Sequence, residues 1–291
     1  MLFGAHVSSA GGIWQAIDRA EEMGCDAVQV FTQSPRMWRP TAHTPEAIAR
    51  FRERREEAGI GAVVCHALYL VNLASPDPVL HDKSVTAMRA TLETADAIGA
   101  EGVIFHVGSH LGAGLEVGLA QAIPALQDLL ELTTDDLWLL LENSAGTGGT
   151  IGRSTDELAA IYDGLGHHPR LGICLDSCHW YASGIDVTDA AALDAAVADL
   201  DTRIGLDRLR CLHVNDSRAE LGSNRDRHES VGRGLMGEGL HTFLAHPAFQ
   251  ELPAILETPG PGGHGPDEAE LARLRALHAG KAGRNAKRKG G

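Results

Sequence analysis

Short apolar runs alternate with amphipathic stretches along this chain, and this alternation is what most constrains its fold. The runs are four to six residues long and rich in Val, Ile and Leu, as expected of buried parallel strands. They cover residues 2–6, 27–31, 61–66, 102–106, 137–142, 171–176, 209–214 and 253–257. The sequence therefore predicts a buried parallel sheet.

Helical periodicity marks the stretches between these runs, including residues 13–23, 45–58, 85–98, 115–132, 156–165 and 267–278. A strand followed by a helix, repeated eight times in 291 residues, matches the usual size of a closed β/α barrel. We therefore predict a single α/β domain, a (β/α)8 TIM barrel over residues 1–278. Active sites of such barrels are built at the carboxyl ends of the strands.

Polar or ionisable residues close most of the predicted strands and should converge on that end of the barrel. These residues are His6, His66, His106, Glu142, Asp176, His213 and Glu257. A lone histidine there is more often a hydrogen-bonded core residue than a ligand, and a lone glutamate could cap a helix. Two glutamates facing several histidines favour metal binding, because a buried carboxylate is costly unless it is paired or bound to metal.

Two further segments add candidate ligands at short spacing. Asp176 and His179 lie where a strand turns into the next element, so both can point into the same mouth. Asp226 and His228 lie two residues apart, which in an extended segment directs both side chains to one side; a solvated polar loop is the alternative. Together the candidate metal ligands are His66, His106, Glu142, Asp176, His179, His213, Asp226, His228 and Glu257.

Donor chemistry and donor number indicate the metal. Mixed nitrogen and oxygen donors suit zinc, with manganese or iron as alternatives. Zinc takes three or four protein ligands, so nine residues with one shared carboxylate would fill about three sites, and clustered metals of this kind point to phosphoryl chemistry. The cysteines, Cys25, Cys65, Cys174, Cys178 and Cys211, are predicted to be buried and reduced, although Cys178 adjoins two candidate ligands.

Six motifs occur in order along the chain: residues 4–12 (GAHVSSAGG), 31–38 (FTQSPRMW), 141–146 (LENSAG), 175–179 (LDSCH), 212–217 (LHVNDS) and 221–228 (LGSNRDRH). In residue identity and spacing they resemble the bacterial endonuclease IV family of abasic-site endonucleases. The resemblance covers about residues 1–278. It implies a monomeric zinc enzyme of base excision repair that cleaves double-stranded DNA 5′ to abasic sites. The expected products are a 3′ hydroxyl and a 5′ deoxyribose phosphate, and blocked 3′ ends would also be trimmed.

The resemblance also implies how the ligands are shared among three zinc ions, one of which manganese or iron could replace. One zinc would be held by His66, His106 and Glu142. Glu142 would bridge to a second zinc held by Asp176, His213 and Glu257. The third would be held by His179, Asp226 and His228. Glu142 and Glu257 are the catalytic residues on this comparison, with Glu257 orienting the water that attacks phosphorus.

Loops around the mouth would recognise DNA. The resemblance assigns duplex contacts to Arg36 and Trp38 after the second strand, to Tyr69 and Leu70 after the third, and to Arg227. Extruding an abasic nucleotide is inexpensive because no base pair is lost there. Without the resemblance, Trp38 would be interpreted as a rim aromatic packed against the next helix.

Three segments depart from the family pattern. Ala67 and Leu68 precede Tyr69 where a polar residue or proline is common, which puts the shape of that loop in question. Arg233 stands where glutamate is common, so it could remove support from a ligand or add a phosphate contact. Residues 279–291 match nothing in the family core, and we predict that they form a disordered basic tail.

Net charge at first argues against a nucleic-acid partner. The formal charge is −14, and five basic residues fall in the last eleven positions, so the rest of the chain is more acidic still. Bound zinc would neutralise acidic ligands, however, and basic residues concentrate in the proposed DNA loops. Net charge is therefore a poor guide to the field at the mouth.

Two other functions fit parts of the sequence. A sugar isomerase or epimerase on a similar barrel would use Glu142, Asp176, His213 and Glu257 to hold one metal, but it would leave the other five candidate ligands without a purpose. A catalytically silent DNA-damage binder would be expected to lack a ligand, and none is missing. With no apolar stretch long enough for a membrane span and no signal peptide, we expect a cytoplasmic protein with no membrane partner.

Overall fold

Eight parallel strands close into a barrel in the computed structural model, which describes residues 1–281. In chain order they are β1 (Leu2–His6), β2 (Ala27–Phe31), β3 (Ala62–His66), β4 (Gly102–Phe105), β5 (Trp138–Glu142), β6 (Leu171–Asp176), β7 (Leu209–His213) and β10 (Pro253–Leu256). Each pairs in parallel with its neighbours in sequence order, and β10 closes the barrel between β7 and β1. The predicted TIM barrel is confirmed, and every predicted strand is present to within one residue at each end.

Helices surround the barrel and connect its strands. They are α1 (Gln15–Met23), α2 (Pro45–Ala58), α3 (Pro78–Ile98), α4 (Leu115–Leu130), α5 (Thr155–Gly164), α6 (Ser177–Ser183), α7 (Ala190–Arg203), α8 (Leu240–Ala245) and α9 (Glu268–His278). The prediction for α3 was wrong at its start, because capping rather than periodicity sets it. The Asp77 side chain accepts the N–H of Val79, and Pro78 provides the fixed φ of a first helical turn.

Alternation along the strands builds two stacked layers inside the barrel. The lower layer is apolar and contains Ala27, Val64, Ile104, Leu140, Cys174, Cys211 and Ile255. Two residues further along each strand the side chain points inward again, and these positions are polar. They are Gln29, His66, His106, Glu142, Asp176, His213 and Glu257. The polar layer therefore lies directly above this buried apolar layer, at the carboxyl end of the barrel.

A small antiparallel sheet holds the long loop that follows β7. It pairs β8 (Asp216–Ser217) with β9 (His228–Glu229). The buried carboxylate of Asp216 accepts backbone N–H groups from Gly234, Met236 and Gly237, which fixes the chain after β9. This pairing brings residues 218–227 and the side chain of His228 over the barrel mouth.

Helix α9 ends at His278 and packs against β1, and the predicted domain boundary at residue 278 stays a prediction. The predicted disorder of residues 279–291 falls almost wholly outside the described residues and stays a prediction. All five cysteines are buried and unpaired, as predicted. Across residues 1–281, no helix is both long and apolar enough to cross a membrane.

Candidate metal centre

The nine candidate ligands meet at the carboxyl end of the barrel in three groups. The inner group is His66, His106 and Glu142; the central group is Glu142, Asp176, His213 and Glu257; the outer group is His179, Asp226 and His228. Within each group the donor atoms lie within 4.8 Å of one another. The structure thus brings together residues that span from the third strand to the end of the last.

In the inner group, two imidazole nitrogens face one carboxylate oxygen. Nε2 of His66 and Nε2 of His106 each lie 3.2 Å from Oε2 of Glu142. Nδ1 of His66 lies 2.7 Å from the carbonyl oxygen of Ala67, to which it donates a hydrogen bond. In the neutral ring, Nε2 of His66 therefore carries a lone pair directed at the carboxylate. Such a contact is favourable only with a proton or a metal cation between the two atoms.

The central group shares Glu142 with the inner group through the other carboxylate oxygen. Oε1 of Glu142 lies 2.9 Å from Nδ1 of His213, and Oε2 of Glu257 lies 3.1 Å from the same nitrogen. Asp176 is fully buried; its Oδ1 accepts the backbone N–H of His179, and its Oδ2 accepts from the Asn215 side chain at 2.6 Å. The geometry of Glu142 suits a carboxylate that bridges two metal positions.

The outer group lies closest to solvent. Nε2 of His179 and Nε2 of His228 lie 3.3 and 3.1 Å from the two carboxylate oxygens of Asp226, whose side chain is half exposed. Nδ1 of His179 donates to the carbonyl of Asn143 at 3.0 Å, and Nδ1 of His228 faces the carbonyl of Glu257. Both Nε2 atoms are thereby left with lone pairs. That of His228 is buried without hydrogen-bond geometry to any partner.

Charge coupling within these groups is strong. Burial alone would raise the pKa of the Glu142 carboxyl, but the neighbouring His106 and His213 hold it well below its usual range. Burial would lower the pKa of His213, yet Glu257 and Glu142 outweigh it and raise that pKa to about 10. The carboxylates of the cluster thus favour positive charge on the groups beside them. This site fits divalent metal ions for two reasons. Nitrogen and oxygen donors converge in each group, and Nε2 of His228 is buried without a hydrogen-bond partner.

The predicted DNA-contacting residues lie around this centre with different exposures. Arg36 is exposed and Trp38 is half-buried against the hydrophobic core. Arg227 is exposed beside Asp226. Tyr69 is 63% exposed and lines, with Leu70, a cavity of about 470 Å³. The same cavity is bordered by one ligand of the inner group and two of the outer group, namely His106, His179 and Asp226.

Two departures from the family pattern leave the centre intact. Ala67 and Leu68 are buried, the Ala67 N–H bonds to the Ile104 carbonyl, and Tyr69 still reaches the rim. Arg233 is exposed on a turn. The ring of His228 is oriented by a backbone carbonyl, so its support does not require a side chain at position 233.

Three amide side chains at the centre, those of Gln29, Asn143 and Asn215, were not predicted from the sequence. Gln29 contacts His213 and Glu257. Asn143 exchanges hydrogen bonds with the backbone of Asp176, and Asn215 bonds to its carboxylate. A polar residue within an apolar run, as in AVQVF at residues 27–31, is the signal that could have identified Gln29.

Two further histidines, His6 and His110, belong to none of the three donor groups. Nδ1 of His110 accepts the backbone N–H groups of Gly112 and Gly114, so it caps its own loop. His6 does reach the polar layer, where its Nδ1 lies 2.9 Å from Gln29 Nε2 and 3.3 Å from Glu257 Oε1.

Comparison with known proteins agrees with this architecture. Residues 17–277 match the family model described as xylose isomerase-like TIM barrel. A probable endonuclease 4 from Methanoculleus marisnigri is 40% identical over 95% of this chain and 99% of its own length. The crystal structure of endonuclease IV from Thermus thermophilus superposes with a TM-score of 0.84 at 36% identity, covering 96% of this chain and all of the other. A D-tagatose 3-epimerase-like protein shares the fold alone, with 19% identity and a TM-score of 0.71 over 97% of each chain.

Proposed function

Because the chain belongs to the endonuclease IV family of xylose isomerase-like TIM barrels, we propose that it hydrolyses the phosphodiester bond 5′ to abasic sites in double-stranded DNA. The products would be a 3′ hydroxyl and a 5′ deoxyribose phosphate. Trimming of blocked 3′ ends would follow from the same chemistry, because it also breaks a phosphodiester or phosphomonoester at a 3′ oxygen. The cofactors would be three zinc ions, and the enzyme would act as a monomer in base excision repair.

The observation that carries this proposal is the bridged arrangement of three donor groups at one mouth. The inner and central groups share Glu142, and the outer group adjoins them through His179, whose Nδ1 lies 3.3 Å from Glu142 Oε1. An isomerase needs only the central group. The inner histidines and the whole outer group have a purpose when a phosphate must be held and its leaving oxygen neutralised.

Each group of residues has a distinct task in this hydrolysis. Bound zinc supplies Lewis acidity: it eases the ionisation of water and neutralises charge on phosphate oxygens. Glu142 would belong to both the inner and the central group, with one carboxylate oxygen facing His66 and the other facing His213. Oε2 of Glu257 lies 3.1 Å from Nδ1 of His213. From this position the Glu257 carboxylate would orient the attacking water and accept a proton from it. These two glutamates are the proposed catalytic residues.

The rim residues would select the substrate. Tyr69 and Leu70 border the cavity next to the outer group, where an extruded abasic nucleotide would place its phosphate within reach of Asp226. Arg36 and Trp38 would approach the duplex from the loop after β2, and Arg227 would contact phosphate from the loop after β8. A nucleotide lacking its base leaves the stack at lower cost than a paired one, and this difference would favour abasic sites.

Incision of a defined duplex tests the proposal. Zinc-loaded protein is incubated with a labelled duplex containing one tetrahydrofuran abasic analogue, with the intact duplex as control. We expect a single cut 5′ to the analogue whose 3′ end a polymerase can extend. A second duplex ending in a 3′ phosphate should lose that phosphate. Failure to cut, together with epimerisation of a ketose by the same preparation, would support the isomerase instead.

A further inference from the structure

Gln29 brings an uncharged amide into the layer of candidate ligands, and it is fully buried there. It lies on β2, in register with His6 on the adjacent strand β1. An amide is not one of the ligand types in the three donor groups, so metal binding alone does not account for it. Buried amides are retained where their donors and acceptor are paired, and the partners of Gln29 therefore indicate what it does.

Each end of the Gln29 amide contacts a different ligand of the central group. Oε1 lies 2.7 Å from Nε2 of His213, and Nε2 donates a hydrogen bond to Oε1 of Glu257. The same Nε2 lies 2.9 Å from Nδ1 of His6. His213 and Glu257 come from β7 and the end of β10, neither of which is a neighbour of β2 in the barrel. One side chain thus connects two ligands from separate strands.

The carboxylate of Glu257 decides which way round the amide lies. An ionised carboxylate only accepts hydrogen bonds, so the end of Gln29 that faces it must be the NH₂ group. The other end is then the carbonyl oxygen, which also only accepts. The proton of a neutral His213 ring must therefore be on Nε2, and Nδ1 carries the lone pair. That lone pair is directed between Glu142 Oε1 and Glu257 Oε2, at 2.9 and 3.1 Å.

We propose that Gln29 is the positioning residue of the central group. The inference rests on the proposed function in that it takes this group to hold a metal ion. Gln29 keeps the His213 ring in the tautomer whose Nδ1 can bind metal. It also donates a hydrogen bond to Oε1 of Glu257, which leaves Oε2 of that carboxylate beside Nδ1 of His213. Outer hydrogen-bond partners of this kind change metal affinity roughly 10–100-fold.

Replacement by an apolar residue of similar length tests this role. Gln29→Met fills nearly the same space but cannot make either hydrogen bond. Full-length, zinc-loaded wild type and variant are compared by zinc content per chain and by the rate of zinc transfer to a chromogenic chelator. We expect one zinc ion to leave the variant roughly 10–100-fold faster, while the others leave at the wild-type rate.

Val30→Ala is the matched control. Val30 is the next residue on the same strand, is fully buried and belongs to the hydrophobic layer outside the barrel. Its truncation removes core packing without touching the metal centre. We therefore expect a lower melting temperature with unchanged zinc release.

Gln29→Glu separates the two hydrogen bonds. In its ionised form the new carboxylate still accepts from Nε2 of His213, but it repels the Glu257 carboxylate instead of donating to it. Slow zinc release should therefore be restored, whereas kcat on abasic duplex should fall with KM little changed, because Glu257 is no longer held. If Gln29→Met does not fold, Gln29→Glu still tests the proposal, because it should retain zinc while its kcat falls. A wild-type kcat for Gln29→Glu would contradict the proposal.

Wild-type zinc release from a folded Gln29→Met protein, with only the melting temperature lowered, would overturn the inference and leave Gln29 a packing residue. The zinc measurement needs no nucleic acid. A wild-type protein that binds zinc but does not incise abasic DNA would therefore contradict the proposed function without affecting the assignment of Gln29.

Discussion

The carboxylate of Glu142 faces the ring of His213, with Oε1 2.9 Å from Nδ1. The opposite oxygen of the same carboxylate lies 3.2 Å from Nε2 of both His66 and His106. One side chain therefore serves two donor groups at once. Its loss should disturb more of the centre than the loss of any ligand that belongs to a single group.

Metal content should report this difference. We expect about three zinc ions per wild-type chain, about one in Glu142→Gln and about two in His228→Ala, because Glu142 belongs to two of the three proposed groups and His228 to one of them. Elemental analysis after dialysis against a weak chelator measures the content. Equal losses in the two variants would contradict a bridging role for Glu142, and about one ion in the wild type would favour a single-metal isomerase.

Chemistry and DNA recognition should separate at two residues. Glu257→Gln keeps the shape but removes the charge that orients water, so single-turnover incision should fall by at least about 100-fold while abasic duplex is still bound. Fluorescence anisotropy measures the binding and quenched-flow sampling the incision.

Arg36→Ala should have the reverse effect, because its side chain is exposed and belongs to none of the ligand groups. Binding to abasic duplex should weaken relative to intact duplex, while the rate of the chemical step at saturating enzyme changes less. Glu257→Gln and Arg36→Ala should therefore differ in how much DNA affinity and how much incision rate they lose. Equal ratios of the two losses would contradict the assignment of Glu257 to chemistry and Arg36 to DNA recognition.

Stability of the metal-free protein should depend on pH through His213. Burial opposes its charge, but Glu257 and Glu142 raise its pKa from 6.5 to about 10. A pKa raised on folding stabilises the protein fully below the unfolded value, and that contribution is lost as pH rises through the folded value. Urea unfolding of chelator-treated wild type and His213→Asn should differ most at about pH 6 and converge above about pH 10. A difference that stays constant over this range would contradict the assignment.

The basic C-terminal segment offers a further test that is independent of the metal centre. If its charges contact phosphates, deleting residues 280–291 should weaken binding to intact and abasic duplexes by similar factors and make the salt dependence shallower, since fewer counterions are released. Single-turnover incision at saturating enzyme should not change. An unchanged salt slope would assign the segment no part in DNA binding.

The strands and the identity of the donor residues could be predicted from the sequence, because both depend on local patterns. An apolar run that ends in His66 or Glu142 specifies a buried strand and puts its last side chain at the mouth. Helix starts were less certain: α3 begins at Pro78, where a local cap overrides the apolar periodicity.

Only the tertiary structure decided which candidate donors lie close together and how each histidine ring is oriented. Gln29 meets His213 and Glu257, residues 184 and 228 positions away in the chain, and no pattern around residue 29 encodes those partners. His6 likewise reaches the polar layer but contacts Gln29 and Glu257 rather than completing a donor group. Alternation along a strand fixes only whether a side chain points inward. Which side chains then face each other depends on the register and closure of all eight strands, and that is a property of the folded barrel.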